Sequence, residues 1–137
     1  MIQYRQGQQF RAHYDLYDID PRFPLPREES LRGLSVLFYL SDVPENGGGE
    51  TIFPLARPPL KVNPKKGSVI VWRNCIPFSE EEKRQLEAEG DLSCVPKKIC
   101  CKERDWRSIH AGLPIQGPWM KFTMTRWVRE GWTEDMR

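Results

Sequence analysis

The chain has 137 residues, of which 39% are hydrophobic and 29% are charged, and its formal net charge at pH 7 is +2. This length predicts a single domain over residues 1–137 with a real core. The low net charge and the absence of a Lys/Arg cluster argue against a nucleic-acid partner. No apolar run approaches the roughly 18 residues of a membrane span.

The first ten residues, MIQYRQGQQF, show neither the basic start nor the apolar stretch of a signal peptide. The next stretch, FRAHYDLYD (residues 10–18), places His13 and Asp15 two positions apart. Alternate residues of a strand point to the same side, so an HxD pair can close on one ion. An HxD pair arises by chance roughly one time in ten in such a chain, so the motif needs a third ligand.

Four short segments have the β-branched and aromatic composition of strands: SVLFYL (35–40), ETIFP (50–54), GSVIVW (67–72) and KFTMTRWV (121–128). Gly- and Pro-rich turns separate them, which favours an all-β sandwich or barrel over a parallel α/β sheet. A Pro-rich connector, DIDPRFPLPREES (18–30), is long enough to cover a site.

One segment, FSEEEKRQLEAEGD (78–91), breaks the β pattern and predicts a helix. Ser79 and Glu82 have the spacing of a capping box, and Gly90 ends the run. Apolar residues are few, so we expect a solvated helix within an insertion at about 78–107. A partner-binding arm is the alternative.

The four cysteines, Cys75, Cys94, Cys100 and Cys101, form no CxxC motif. This spacing disfavours a zinc site. One or two disulfides within residues 75–101 and free thiols both remain open.

The second of the two histidines, His110, lies in RSIHAGLPI. Together with His13 and Asp15 it would supply two imidazoles and one carboxylate, which leave three positions of a metal open, as in non-haem Fe(II) oxygenases. Such a site requires a cation to hold the far carboxylate of a keto acid. Lys121 is the candidate, and the strand period puts it on one face with Thr123, Thr125 and Trp127.

Four segments follow one another in an order that is characteristic of one enzyme family: YRQGQQFRAHYDLYD, RGLSVLFYLSDVPENGGGETIFP, VNPKKGSVIVW and SIHAGLPIQGPWMKFTMTRW. It resembles the catalytic domain of the collagen-type and plant-type prolyl 4-hydroxylases, from about Gln3 to Trp132, with an interruption at 78–107. These enzymes are Fe(II)- and 2-oxoglutarate-dependent dioxygenases. The resemblance implies a mainly all-β double-stranded β-helix, a jelly-roll of cupin-like type, N-terminally truncated relative to the family.

The same resemblance implies a role for individual residues. His13, Asp15 and His110 would be the iron ligands. Trp127 would lie near the iron as part of the catalytic site, and Arg32 would bind the peptide substrate.

Three further residues match family positions that bind the co-substrate. Lys121 would pair with the distal carboxylate of 2-oxoglutarate, and Tyr4 and Thr51 would hydrogen-bond the same molecule. Trp72, Trp119 and Trp132 are expected only to pack.

The implied reaction couples decarboxylation of 2-oxoglutarate to succinate with hydroxylation of a peptidyl proline by O2, and ascorbate would restore oxidised iron. The partner would be a proline-containing peptide in an extended conformation, clamped by residues 20–26 and by the ENGGG turn. A related oxygenase acting on another side chain or a small molecule, or a non-catalytic binding module, are the alternatives. The compartment would be the endoplasmic reticulum lumen if the chain follows the family, and the cytoplasm otherwise; the oligomeric state is open.

Overall fold

The computed structural model describes residues 1–16, 32–92, 94 and 100–129, and these carry the account that follows. They form short strands, one α-helix and two 3-10 turns. The strands are β1 (Ile2–Tyr4), β2 (Phe10–His13), β3 (Arg32–Tyr39), β4 (Thr51–Phe53), β5 (Leu60–Val62), β6 (Val69–Arg73), β7 (Cys75–Pro77), β8 (Cys101–Arg104), β9 (His110–Gly112) and β10 (Lys121–Arg129), with helix α1 (Glu80–Ala88) between β7 and β8.

Two four-stranded antiparallel sheets build the fold, in the orders β1-β10-β3-β6 and β2-β9-β4-β5. The chain passes from one sheet to the other between β1 and β2, β2 and β3, β3 and β4, β5 and β6, β6 and β9 (through β7 and β8), and β9 and β10. This alternation is that of a double-stranded β-helix, and the predicted fold class is confirmed. Strands β7 and β8 pair as a separate hairpin.

The central strand β3 alternates strictly between buried and half-exposed positions, so Ser35, Leu37 and Tyr39 face inward. Its neighbour β10 is in register with it, with Thr123 opposite Tyr39 and Trp127 opposite Ser35. The period-2 pattern of both strands therefore directs their alternate residues to the interior. The interior they create is unusually polar for a core.

The N-terminal strand β1 lies at the edge of the first sheet, β1-β10-β3-β6. It pairs antiparallel with β10, and this register places Tyr4 opposite Lys121. The beginning of the chain is thus tied by backbone hydrogen bonds to the strand that carries the predicted cation.

Helix α1 begins and ends where its sequence predicts. Ser79 accepts a hydrogen bond from the backbone N–H of Glu82 at 3.2 Å, and the Glu82 carboxylate accepts one from the Ser79 N–H at 2.8 Å. Gly90 follows with a φ of +85°. The helix buries no residue, so it is solvated as expected. No helix of the described residues has the length and apolar character that a membrane crossing requires.

All four cysteines are paired in disulfides, Cys75–Cys101 and Cys94–Cys100, and the free-thiol alternative is wrong. The first bridge joins β7 to β8 at the base of the segment that carries α1. The predicted insertion therefore contains a strand, β8, that its sequence did not reveal. The division into one domain with an insertion stays a prediction.

Candidate metal centre

The two histidines and Asp15 meet although they come from distant parts of the chain. His13 ends β2, His110 begins β9, and the two are register partners in the second sheet. Potential ligand atoms of His13, Asp15 and His110 all lie within 4.8 Å of one another. Oδ1 of Asp15 is 3.4 Å from Nε2 of His13 and 3.8 Å from Nε2 of His110. The three groups converge as the ligands of one ion would.

Backbone carbonyls fix which ring nitrogen of each histidine faces this point. Nδ1 of His13 lies 2.7 Å from the carbonyl oxygen of Arg11, and Nδ1 of His110 lies 3.0 Å from that of Ser108. A carbonyl oxygen only accepts hydrogen bonds, so each Nδ1 carries its hydrogen and donates it. The Nε2 atoms are then left to point at Asp15, and a neutral imidazole offers its lone pair there.

Asp15 is buried but remains ionised at neutral pH. Burial raises the pKa of its carboxyl group, yet hydrogen bonds with His13 and Ser35, the nearby His110 and the Trp127 indole together bring it to about 2. The site therefore contains one fixed negative charge. A divalent cation bound there would be partly neutralised by this carboxylate.

The pKa values of the two histidines are shifted in opposite directions. Burial alone lowers the pKa of His13, but hydrogen bonds to Asp15 and the Arg11 carbonyl outweigh it and raise the pKa above its ordinary value. Burial lowers the pKa of His110, so this ring favours the neutral form. Metal binding requires the neutral form of both rings, so acidification should weaken it first through His13, the ring with the higher pKa.

Aromatic side chains wall the site behind His110. The Trp72 ring centroid is 4.7 Å from that of His110 in an edge-on arrangement, and Phe53 stacks at 5.6 Å. Trp72 was expected to have a packing role only. It does pack, but its packing partner is His110, a candidate metal ligand. The sequence could not show this, because nothing in GSVIVW distinguishes its tryptophan from an ordinary core residue.

Lys121 is a buried cation on the inner face of β10, only 4% exposed. Its ammonium donates a hydrogen bond to the carbonyl of Gly49 at 2.7 Å and lies 5.2 Å from the ring centroid of Tyr4 and 5.5 Å from that of Tyr39. Burial lowers its pKa to about 8, with an opposing contribution from Glu50. The lysine is thus still mainly charged at neutral pH in a water-poor environment.

Around Lys121 the strands supply hydroxyl groups and one carboxylate. The Tyr39 hydroxyl donates to Oγ1 of Thr51 at 2.6 Å, and burial raises the pKa of Tyr39 to about 12. Glu50 is 5% exposed and forms an ion pair with Lys61 at 2.8 Å. Sequence reasoning missed Tyr39 and Glu50 as members of this site; the GGGET motif was the available signal for Glu50.

The glycine-rich turn supports this end of the site. Gly49 has a φ of +74°, and a Cβ on it would clash with Cδ1 of Ile115. Glycine is required because the turn combines a left-handed conformation with close packing. Two segments were predicted to clamp the peptide. In the first, ENGGG, all three glycines are buried. The second, residues 20–26, lies outside the described residues, and so does Trp132.

A pocket of about 480 Å³ between the two sheets connects the candidate ligands with Lys121. All the site residues predicted from the sequence line it: Tyr4, His13, Asp15, Arg32, Thr51, His110, Lys121 and Trp127. The guanidinium carbon of Arg32 lies 3.8 Å from the ring centroid of Trp127. The pocket therefore offers a metal-binding end, a cationic end and an aromatic-cationic pair in one enclosure.

Comparison with known proteins gives concordant results. The family model of the 2OG-Fe(II) oxygenase superfamily matches residues 1–129. The chain is 28% identical over 144 residues to probable prolyl 4-hydroxylase 9 of Arabidopsis thaliana, covering 95% of this chain and 40% of the relative. It is 35% identical over 137 residues to probable prolyl 4-hydroxylase 8 of the same plant, covering 93% and 40%.

Among solved structures, the viral collagen prolyl hydroxylase of Paramecium bursaria Chlorella virus-1, in complex with 2OG, matches with a TM-score of 0.65 at 28% identity. The match covers 93% of this chain and 55% of the viral one. The chain spans 40% of the length of the two plant relatives.

Proposed function

This chain belongs to the 2OG-Fe(II) oxygenase superfamily, and we propose that it is a dioxygenase that uses Fe(II) and 2-oxoglutarate to hydroxylate proline residues in peptides. One observation carries the proposal: the His13–Asp15–His110 cluster and the buried Lys121 line the same pocket. The substrate class follows from the prolyl 4-hydroxylases to which the chain is similar. Each group of the site has a part in this reaction.

The donor set suits Fe(II). Two imidazole nitrogens and one carboxylate oxygen on one side of a metal leave positions open for a chelating co-substrate and O2. In the described residues, His13, Asp15 and His110 are the group that could hold a metal. Iron and 2-oxoglutarate, when bound, supply the oxidising chemistry: 2-oxoglutarate loses CO2 to become succinate, and the two atoms of O2 end in succinate and in the new hydroxyl group.

Lys121 would bind the distal carboxylate of 2-oxoglutarate. A charge-assisted hydrogen bond is strong in an enclosed site, and an ammonium has three donors, so Lys121 can keep its bond to Gly49. The Thr51 hydroxyl accepts a hydrogen bond from the Tyr39 hydroxyl. The Thr51 hydroxyl can therefore donate its own hydrogen to the distal carboxylate of 2-oxoglutarate. Tyr4, beside Lys121, closes the pocket on this side. These residues orient the co-substrate and exclude water.

Arg32 and Trp127 would contact the peptide. Trp127 is 38% exposed, and its indole contacts the Arg32 guanidinium and donates a hydrogen bond to the Asp15 carboxylate. A proline in an extended, polyproline-like segment offers an apolar ring to such a surface and backbone carbonyls to an arginine. The pair thus suits a peptide segment better than a small anion.

We also propose that ascorbate returns the iron to the ferrous state after unproductive cycles.

We further propose that the protein works in an oxidising compartment, such as the endoplasmic reticulum lumen. The two disulfides support this location, since disulfides persist where thiols are not kept reduced. Alkylation of free thiols before lysis, followed by mass spectrometry, tests it. Four alkylated cysteines would contradict it.

The experiment for the proposed reaction measures succinate release under Fe(II) and ascorbate, with and without a panel of proline-containing peptides, and the product mass. We expect peptide-dependent succinate and a gain of one oxygen on proline. Turnover only with other substrates would indicate a different oxygenase of the same superfamily. Absence of turnover in a protein that binds Fe(II) would indicate a binding module. The Asp15→Ala variant serves as the metal-free control.

A further inference from the structure

The two oxygens of Asp15 have different partners. Oδ1 faces the Nε2 atoms of His13 and His110, at 3.4 Å and 3.8 Å. Oδ2 accepts two hydrogen bonds, one from the Ser35 hydroxyl at 2.5 Å and one from the Trp127 indole N–H at 3.2 Å. One oxygen is thus directed to the metal position, and the other is held away from it.

Ser35 is itself held by Asn74. Both residues have 0% exposure, and Asn74 Nδ2 donates to Oγ of Ser35 at 2.8 Å and to the carbonyl of Arg32 at 3.0 Å. The Arg32 carbonyl can only accept, which fixes the nitrogen of the Asn74 amide on this side. Because Ser35 accepts from Asn74, its single proton is left for Asp15, whose carboxylate can only accept.

The backbone of Asn74 is fixed as well. Its N–H donates to the Gly33 carbonyl at 2.9 Å, and its carbonyl accepts from the Asp105 N–H at 3.1 Å. Cys75, the next residue, is bonded to Cys101. The direction of every hydrogen bond from Asn74 to Asp15 is therefore determined by groups outside the metal site.

We propose that Ser35 and Asn74 are positioning residues that keep Asp15 a one-oxygen ligand. The chain of hydrogen bonds runs from the Asn74 amide to the Ser35 hydroxyl and from there to Oδ2 of Asp15. Without it, only the Trp127 indole N–H, 3.2 Å away, still holds Oδ2, and Oδ2 would turn more readily toward the metal beside Oδ1, into a position that the co-substrate or O2 requires. This inference rests on the proposed metal site and adds the reason that the carboxylate occupies one position only.

The test uses binding of Co(II), a redox-stable substitute for Fe(II), to the full chain. Partners of metal ligands typically contribute 10- to 100-fold to metal affinity. We expect Ser35→Ala to raise the Co(II) dissociation constant about 10-fold or more and to change the visible spectrum of the bound Co(II), which responds to coordination number. Ser35→Thr, which keeps the hydroxyl, should restore both. The matched control is Ser41→Ala, which removes a hydroxyl that bonds to Met120 and Phe122 outside the site.

Asn74 is tested through its dependence on Ser35. If Asn74 acts by orienting the Ser35 hydroxyl, the Ser35→Ala/Asn74→Ala double variant should bind Co(II) no more weakly than Ser35→Ala alone. If the losses of Co(II) affinity from the two substitutions add in the double variant, Asn74 does not act through Ser35, and this part of the proposal is wrong. Thermal unfolding without metal, measured in parallel, separates loss of stability from loss of affinity.

The failure of this inference is distinguishable from failure of the proposed function. A parent protein that binds no Co(II) overturns both. A parent that binds Co(II), with a folded Ser35→Ala variant whose affinity and spectrum match it, overturns the positioning role alone. Should Ser35→Ala not fold, Ser35→Cys replaces it, because a thiol has similar size and is a much weaker donor.

Discussion

Lys121 on β10 donates a hydrogen bond to the carbonyl of Gly49, 2.7 Å away, in the turn before β4. The bond joins β10 of one sheet to the turn that leads into β4 of the other, and it fixes the position of the ammonium group that lines the pocket. Removing the cation should therefore affect the co-substrate and leave the metal ligands in place.

Lys121→Ala should raise the KM for 2-oxoglutarate about 10- to 100-fold, because a charge-assisted hydrogen bond to a buried anion contributes roughly 1.5–3 kcal/mol. Co(II) affinity without co-substrate should stay within about twofold of the parent. Steady-state kinetics and metal titration give the two values. A loss of Co(II) affinity as large as the rise in KM would contradict this role.

The pH dependence of co-substrate binding follows from the lowered pKa of Lys121, about 8. The lysine is charged below this pH and neutral above it, while both carboxylates of 2-oxoglutarate are ionised throughout. The charged fraction falls from about 90% at pH 7 to about 10% at pH 9, so the KM should rise about tenfold over that range. A KM for 2-oxoglutarate that is constant from pH 7 to 9 would refute the assignment.

Asp15→Ala should abolish metal binding, with a loss of more than about 100-fold, since even the partners of ligands contribute 10- to 100-fold. The β-sheets should remain, because no strand depends on this carboxylate for its register. Circular dichroism and Co(II) titration test the two statements. Full turnover by the variant would rule Asp15 out as a ligand.

Arg32→Ala should raise the KM for peptide about tenfold and leave that for 2-oxoglutarate unchanged, because Arg32 lies over Trp127 at 3.8 Å and away from Lys121. Arg126→Ala is the matched control, since Arg126 is in β10 of the same sheet as Arg32 but is exposed on its outer face. Equal effects of both variants on the peptide KM would indicate a general charge effect.

Replacing Cys75 and Cys101 together by alanine should lower the free energy of unfolding by about 3.5 kcal/mol, since this bridge closes a loop of 26 residues. The Cys94–Cys100 bridge closes a loop of 6 residues, and its removal should cost about 2 kcal/mol. Because Cys75 follows Asn74, only the first replacement should also weaken Co(II) binding. Chemical denaturation and metal titration of both double variants provide the comparison.

The fold and the candidate ligands were accessible to sequence reasoning, and the resemblance to prolyl 4-hydroxylases is confirmed. Strand β3 alternates in burial over all eight of its residues, and β10 alternates from Lys121 to Arg126, which is enough to assign a face to Lys121. Strands of three or four residues, such as β1, β5 and β8, are too short to show a period. They exist because neighbouring strands supply their hydrogen bonds.

Other features of the site require three-dimensional proximity that no local pattern contains. Ser35 looked like any polar residue in a strand, and its bond to Asp15 spans 20 positions. Four cysteines allow three pairings, and spacing alone does not choose among them. The burial of Glu50 depends on the turn that precedes it and on Lys61 of the adjacent strand.

The pairing of β1 with β10, and of His13 with His110, has a consequence for how the protein acquires its iron. During synthesis, the segment with the first two ligands must wait until His110, which follows Asp15 by 95 positions (110 − 15), has left the ribosome before the third ligand can join them. Such contacts between distant segments form slowly. Metal incorporation is accordingly expected as a late event, after the barrel has closed, so that the nascent polypeptide is not exposed to reactive oxygen from a half-built centre.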